Sequence, residues 1–480
     1  MLASPPTSLR LAAAVPPPMA VPWIAALAIL TLTLFAPGVL NDGDTFSHIA
    51  TGDWIIAHRA VPTTDPFSYS TAGAPWVAHE WLAELLIAAA FRAAGWSGVV
   101  GLTVVAAALA FFLLGRHVTR WVAAGPALLV LLLAGFCIAP GLLARPHILA
   151  LPAFEAWVAG LVIARAEGRP PAWRLLPVMT LWANLHGGFI IGLALVVPLA
   201  LEAIGANLPR GRAAALGWAR FLAAAIVAAL VTPQGLAGLI FPFRLAGMAE
   251  INRIGEWAPP DFSTIQPVEL VLALGIYVAL TRGARLPMWR LLVLLGLLHL
   301  ALEHVRHQQL IGIIMPLLIA EPLRAAVPPD GSAGQAARWR MAGIALGAGL
   351  LLLRVFVPIE RGDGPAAPMA ALAHIPAPLR GEPVLNDYRF GGYLIFVHVR
   401  PFIDGRADMY GPALLDRYAA IIQPDRLALM ETIRDYRIRW TLLSPGNPAV
   451  AVLDALPGWC RLYADDVAVV HVAVDTGTCP

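Results

Sequence analysis

The sequence predicts an α-helical polytopic membrane protein of about eleven transmembrane helices with a C-terminal soluble α/β domain. Three observations carry this reading. The 480-residue chain is 59% hydrophobic and only 13% charged, where a soluble chain carries roughly a quarter charged residues. Its apolar residues gather in long runs separated by short Arg-rich segments, as in chains that cross a bilayer repeatedly. From about residue 358 the runs give way to shorter strand-like and helix-like stretches.

By apolar length and flanks, the expected spans are 20–40, 97–115, 121–139, 146–164, 174–186, 188–206, 217–232, 268–281, 287–303, 307–321 and 339–357. Several are shorter than the ~20 residues that a perpendicular helix needs. The segment 81–94, WLAELLIAAAFRAA, is too short and too polar at its start to cross. It reads as an interfacial helix or as a lead into the next span. Arg10 precedes the run 20–36 as in a signal peptide, but the run is long and no A-x-A site follows it closely. A retained helix is expected.

Orientation follows from Arg placement. With the N-terminus inside, the loops RHVTR (116–120), RAEGRPPAWR (165–174), RGRAAALGWAR (210–220), TRGARLPMWR (281–290) and 321–340 become inner, positive anchors. Segments 41–96, 140–147, 233–267, 303–307 and the tail become outer. The implied location is a bacterial inner membrane, with a cytoplasmic N-terminus and a periplasmic C-terminal domain. The domain plan is a membrane domain over residues 1–357, a Pro/Gly/Ala-rich linker over 358–381 and an α/β module over 382–480.

Within that module PVLND, RPFIDGRAD, RWTLLS and DVAVVHVAV read as strands, the last by alternation. LLDRYAAII and RLALMETIRDYRI have helical apolar spacing. The net charge is only +3 and every basic side chain is Arg, scattered in short clusters. No basic stripe interleaved with aromatics points to nucleic acid. The three cysteines form no CxxC or zinc spacing. Cys137 reads as a core residue, while Cys460 and Cys479 would share an oxidising compartment, where a disulfide is an option.

The densest polar chemistry directly follows the first span. NDGDTFSHIATGDW (41–54) holds Asp42, Asp44, His48 and Asp53. One reading is a solvated loop in which Asp42 or Asp44 caps a helix beginning near Thr45. The other is a site. TFSHIATGDWIIAHRA has helical spacing, which sets Asp44 and His48 on one face of an interfacial helix. The following loop adds Asp65, His79, Glu80 and Glu84, with Trp76 and Trp81 at headgroup level. Its length is that of a functional loop.

These motifs, DGDTFSHIATGDWI…VPTTDPFSYS…PWVAHEWLAE and NDYRFGGYLIF…RPFIDGRADMYG, resemble the GT-C superfamily of membrane glycosyltransferases, in a bacterial branch described as RgtA/B/C/D-like. The resemblance implies a GT-C-like fold and a polyprenyl-phosphate-linked sugar donor. It implies an Asp in the first outer loop that activates or orients the acceptor, a role falling here to Asp42 or Asp44. His79 and Glu80 would then contact an acceptor or a metal. No cofactor is assigned, and a divalent metal is left open.

Glycosyl transfer from a phosphate-linked donor needs a base on the acceptor side. It needs cations or hydrogen-bond donors on the leaving phosphate. ARPHIL supplies Arg145 and His147, WANLHGGF supplies Asn184 and His186, and LEHVRHQQL supplies Arg306 and His307. Outer Arg runs against the positive-inside rule, and guanidinium grips phosphate bidentately. Loop 233–267 reads as a closing loop or as an ordinary interfacial one. Within IDGRAD, Asp404, Arg406 and Asp408 read as a structural Asp-Arg network or as acceptor recognition.

The expected partners are a lipid-linked sugar donor, an envelope glycan, lipid or protein acceptor, and membrane lipid, with no nucleic acid. The rivals are a flippase for a lipid-linked saccharide, which mid-span ionisable residues would favour, and a non-catalytic scaffold. Glu155 and Glu202 are expected near span ends.

Overall fold

The computed structural model describes residues 19–480 except 36, 207–210, 249–257, 284, 326–335, 358 and 475–480. Its helices are α1 Val21–Leu34, α2 Asp44–His58, α3 Trp81–Thr119, α4 Ala124–Ile138, α5 Pro146–Ala166, α6 Leu176–Leu185, α7 Phe189–Gly205, α8 Gly211–Ala229, α9 Gly235–Ala246, α10 Pro267–Arg282, α11 Met288–Glu303, α12 Gln308–Leu323 and α13 Ala336–Phe356. The C-terminal module adds α14 Met369–Ala373, β1 Val384–Asn386, α15 Gly391–Phe396, α16 Ala407–Ile421, α17 Arg426–Tyr436, β2 Trp440–Leu443, α18 Pro448–Asp454, β3 Trp459–Ala464 and β4 Val469–Ala473.

Each expected span contains a helix. Among the described residues, by length and composition, only α3, α4 with the turn after it, α5 and α8 are long and apolar enough to cross a membrane alone. The shorter helices pack into the same core: Val21 of α1, Trp157 of α5, Trp182 of α6 and Leu317 of α12 all lie in one buried cluster. Segment 81–94 leads into the following span as one element, α3. Ala94 and Gly95 break its helical geometry, with φ +56° at Gly95. Helix α8 starts at Gly211, so most of the expected loop 210–220 is helical.

Glu202 and Arg290 correct the expectation of simple inner anchors. Arg290 is 1% exposed and donates to Glu202 at 2.9 and 3.1 Å and to the Leu318 carbonyl at 2.8 Å. Arg165 pairs with Glu202, and Arg290 pairs with Glu321 at 2.9 Å. Charges buried in a bundle are retained only when paired. This network ties α5, α7, α11 and α12 together. Glu155, expected near a span end, lies mid-helix in α5 and is 2% exposed.

The sheet order is β1-β2-β4-β3, with β1 and β2 parallel and the other pairs antiparallel. RPFIDGRAD, expected as a strand, runs as irregular chain into α16. Its backbone polar groups are met by side chains: the Asn386 Oδ1 accepts from the Phe402 amide at 2.8 Å, and Asn386 Nδ2 donates to the Ile403 carbonyl at 2.8 Å. FGGYLIF is helical as α15, and β3 and α18 are additional elements. The expected linker contains α14, and Ala367, Ala371 and Ile375 pack in one core with Phe46, Val384 and Trp440. Cys479, and with it the pairing expected of Cys460, lies outside the described residues.

Two contacts fix this module on the first loop. Trp76, expected at headgroup level, is 6% exposed and shares a core with Leu385, Phe402 and Tyr410. Beside it Arg406 donates to Asp65 at 2.8 Å and to Asp404 at 2.6 and 2.8 Å. Its guanidinium lies 4.9 Å from the Trp76 ring and 5.1 Å from Phe67. Both carboxylates are fully buried. The Asp-Arg network is thus a structural tie between loop and module.

Removing one member of such a network strands the others in a medium of low dielectric. Arg406→Met should cost about 3–5 kcal/mol, read as a fall in the denaturation midpoint of the purified chain in detergent. A change below about 1 kcal/mol would mean that the network contributes no more than a surface pair.

Candidate functional site

The site is built on the start of α2. Its first turn carries Asp44, where a negative charge suits the helix dipole, and Asp42 Oδ1 accepts from the Asp44 amide at 2.9 Å. Asp42 therefore caps the turn while keeping its second oxygen for other partners. Arg145 precedes α5 in extended backbone, with Pro146 at the first helical position. Its guanidinium pairs with both Asp42 and Asp44. The C-terminal module closes over this triad. A Cβ on Gly405 would overlap the Asp44 carboxylate, and one on Gly392 would overlap the Gly43 carbonyl. Only glycine lets the two chains approach so closely. Tyr388 donates to the Gly405 carbonyl at 3.2 Å. The two motif segments, 41–84 and 386–411, are thus in contact.

A second layer follows. His48 pairs with Glu84 at 3.3 Å. Glu80 stands between His79, at 3.7 Å, and His186, at 3.6 Å. Trp81 donates to Asn184 at 2.8 Å, which fixes the end of α6 beside the start of α3. The His147 and His186 rings are 6.1 Å apart, and His147 donates to the Gly141 carbonyl at 2.9 Å.

These groups open onto a cavity of about 490 Å³. Arg145, His79, His147, His186, Arg306 and His307 all line it, and Leu151, Phe154, Ile190, Ile191, Leu310 and Ile313 form an apolar wall. Of the expected site residues, Asp42, Asp44 and Glu80 stand behind this lining through the pairs just described, and His48 is paired with Glu84 outside it. Helix α9 gives Phe241, whose ring is 4.2 Å from His79. Gln234 and Arg244 belong to the same stretch, but Glu250, Arg253, Glu256 and Trp257 of the expected closing loop lie outside the described residues. A lining that combines cationic and imidazole groups with hydrocarbon suits an amphiphile with an anionic head.

No family model and no curated protein matches the chain. Solved structures do. The archaeal oligosaccharyltransferase AglB from Archaeoglobus fulgidus, in complex with an inhibitory peptide and a dolichol-phosphate, aligns over 95% of this chain and 74% of its own, at 11% identity and TM-score 0.54. ArnT from Cupriavidus metallidurans, bound to undecaprenyl phosphate, aligns over 95% and 98%, at 14% identity and TM-score 0.52. Both are GT-C superfamily membrane glycosyltransferases. The chain has a GT-C fold.

Within this GT-C fold the groups around the cavity have distinct electrostatics. Burial lowers His186 well below the usual imidazole range, helped by His147, His79 and Arg306. Burial and Arg306 bring His307 down to about 4. Both rings are neutral at neutral pH and can donate or accept a hydrogen bond. Burial opposes protonation of His48, but the Glu84 hydrogen bond and the charges of Glu80, Glu84 and Asp44 outweigh it and raise its pKa. Among the described residues no three His, Cys, Asp or Glu side chains form a metal-ligand group; the Asp42 and Asp44 carboxylates hold Arg145 instead.

Asp408, expected with Asp404 and Arg406 in the IDGRAD stretch, lies in the first turn of α16. Burial pushes its carboxyl up to about 6, against the pull of His79 and Arg406. The folded chain thus holds this proton more tightly than the unfolded chain, whose carboxyl titrates near ~4. Its contribution to stability is full at low pH and is lost as pH rises from about 4 through about 6. Asp408→Asn should match wild type in thermal midpoint near about pH 4 and exceed it near about pH 7. A difference independent of pH would contradict this assignment.

Proposed function

We propose that this chain is a membrane glycosyltransferase. It moves a sugar from a polyprenyl-phosphate-linked donor to a cell-envelope acceptor on the outer face of a bacterial inner membrane. The observation that carries the reading is the mixed lining of the cavity. It combines Arg145, Arg306 and histidines with hydrocarbon side chains, and it lies beside paired aspartates. The lipid phosphates bound to two structural neighbours, AglB and ArnT, support it.

In this reading the polyprenyl chain lies along Ile190, Leu310 and Ile313, and the phosphate meets Arg306 and the neutral His186 and His307. Their hydrogen bonds stabilise the leaving phosphate, which needs no protonation. The base is Asp44 rather than Asp42. Its side chain is 25% exposed against 10% for Asp42, and Asp42 is committed to the α2 turn. Arg145 holds Asp44 as an ion pair at rest. Moving its guanidinium from Asp44 to the donor phosphate frees that carboxylate to take the acceptor hydroxyl's proton. Donor binding and base activation are then one event.

A second reading has one observation in its favour. Glu155 is buried in mid-α5, as a flippase for a lipid-linked saccharide would use. Membranes carrying wild type, Asp42→Asn, Asp44→Asn or the double variant, given a panel of radiolabelled polyprenyl-phosphate sugars, separate the two. Transfer to envelope acceptor should fall by about 10²–10⁴ in Asp44→Asn and less in Asp42→Asn. Transfer that survives the double variant would move the chemistry elsewhere. Labelled lipid that crosses the bilayer with its sugar still attached would favour the flippase.

A further inference from the structure

A second cavity, of about 380 Å³, is lined by Leu40 and Asn41 just before Asp42 and has no part in the proposed transfer. Phe35 and Leu40 after α1, Val100 of α3, Arg354 of α13, and Ile359 and Arg361 line it. Arg354 Nε and Arg361 Nη1 are buried there without a hydrogen-bond acceptor. That is an expensive arrangement for a guanidinium.

Ordinary roles account for only a fraction of it. An Arg at a helix end commonly extends its head to water, but here Arg354 Nε is enclosed. Arg361 lies 4.1 Å over the Phe46 ring and 5.0 Å from Trp96. Stacking uses the face of the guanidinium and leaves its in-plane N–H groups for an anion. Glu360 and Asp363 also line the cavity, but both are exposed and water screens them. Phe35, Phe356 and Val357 beside it expose 45%, 75% and 48% of their surface, as lipid-facing side chains do.

We propose that Arg354 and Arg361 form a second phosphate-binding site, filled by the headgroup phosphate of a membrane phospholipid whose chains lie against Phe35 and Val100. The lipid would seat the end of α13 against the Asp42 loop, and so against the chain entering the C-terminal module.

The test uses the purified full-length chain and a fluorescent short-chain phosphatidylglycerol, with diacylglycerol of the same chains and inorganic phosphate as competitors. Saturable binding should weaken about tenfold in Arg354→Gln/Arg361→Gln, the loss expected for charge-assisted hydrogen bonds. It should be unchanged in Arg434→Gln, an exposed residue of α17 that lines neither cavity. Arg354→Gln alone leaves the stacking on Phe46 and Trp96 intact and should weaken binding several-fold, so misfolding of the double variant cannot decide the result. Diacylglycerol should compete poorly. Equal binding by wild type and both Arg variants, or competition by diacylglycerol as strong as by the phospholipid, overturns the site. Inorganic phosphate competing as well as the lipid overturns the assignment to a lipid. Sugar transfer is not the readout, so failure here leaves the glycosyltransferase reading untouched.

Discussion

A buried guanidinium must be surrounded by carboxylates, and the Asp65–Arg406–Asp404 network is where this chain meets that requirement at greatest length. Arg406 comes from the far end of the sequence, 341 residues after Asp65. Its burial forces the C-terminal module onto the first loop. Everything at the site follows from that docking: Gly405 reaches Asp44, Tyr388 reaches the Gly405 carbonyl, and the start of α2 acquires a roof. The Glu202–Arg290–Glu321 cluster does the same for the bundle itself, where α7 and α12 supply acids to the buried Arg290 of α11.

The chain thus separates two uses of charge. Arg290 and Arg406 are each enclosed and matched, which gives position without reactivity. Around the first cavity the groups are partly exposed, mixed in protonation state and set against hydrocarbon. Neutral His186 and His307 beside cationic Arg306 offer hydrogen bonding without excess positive charge, which suits an anion that must be held and then released.

Much of this was legible in the sequence, for physical reasons. Helical apolar runs announce themselves by length, so each expected span contains a helix. The polar residues 79, 145, 147, 186 and 306–307 interrupt or flank such runs and line one cavity, with Asp42 and Asp44 held against it through Arg145. Other features were hidden because they depend on distant partners. Nothing local tells that Arg290 is buried rather than an inner anchor, since its acids lie on α7 and α12. RPFIDGRAD has strand-like composition, but Asn386 offers its backbone a side-chain partner in place of a neighbouring strand. Trp76 has the composition of an interfacial anchor and is instead the floor on which Arg406 rests. Glu155 lies at the centre of the expected span 146–164 as it does of α5, so its place was legible from the span's own bounds.

The separation of Asp65 from Arg406 also sets an order in biosynthesis. A ribosome adding roughly 5–20 residues per second needs tens of seconds between making the first loop and making its counter-charge. Through that interval the helices are inserting while Asp44 has no roof and Asp65 no cation. The nascent chain therefore presents an unfinished centre, which is completed only when the last quarter has emerged and folded back. A truncated product would insert in the membrane yet lack its roof, so the distal tether acts as a completeness check on the site.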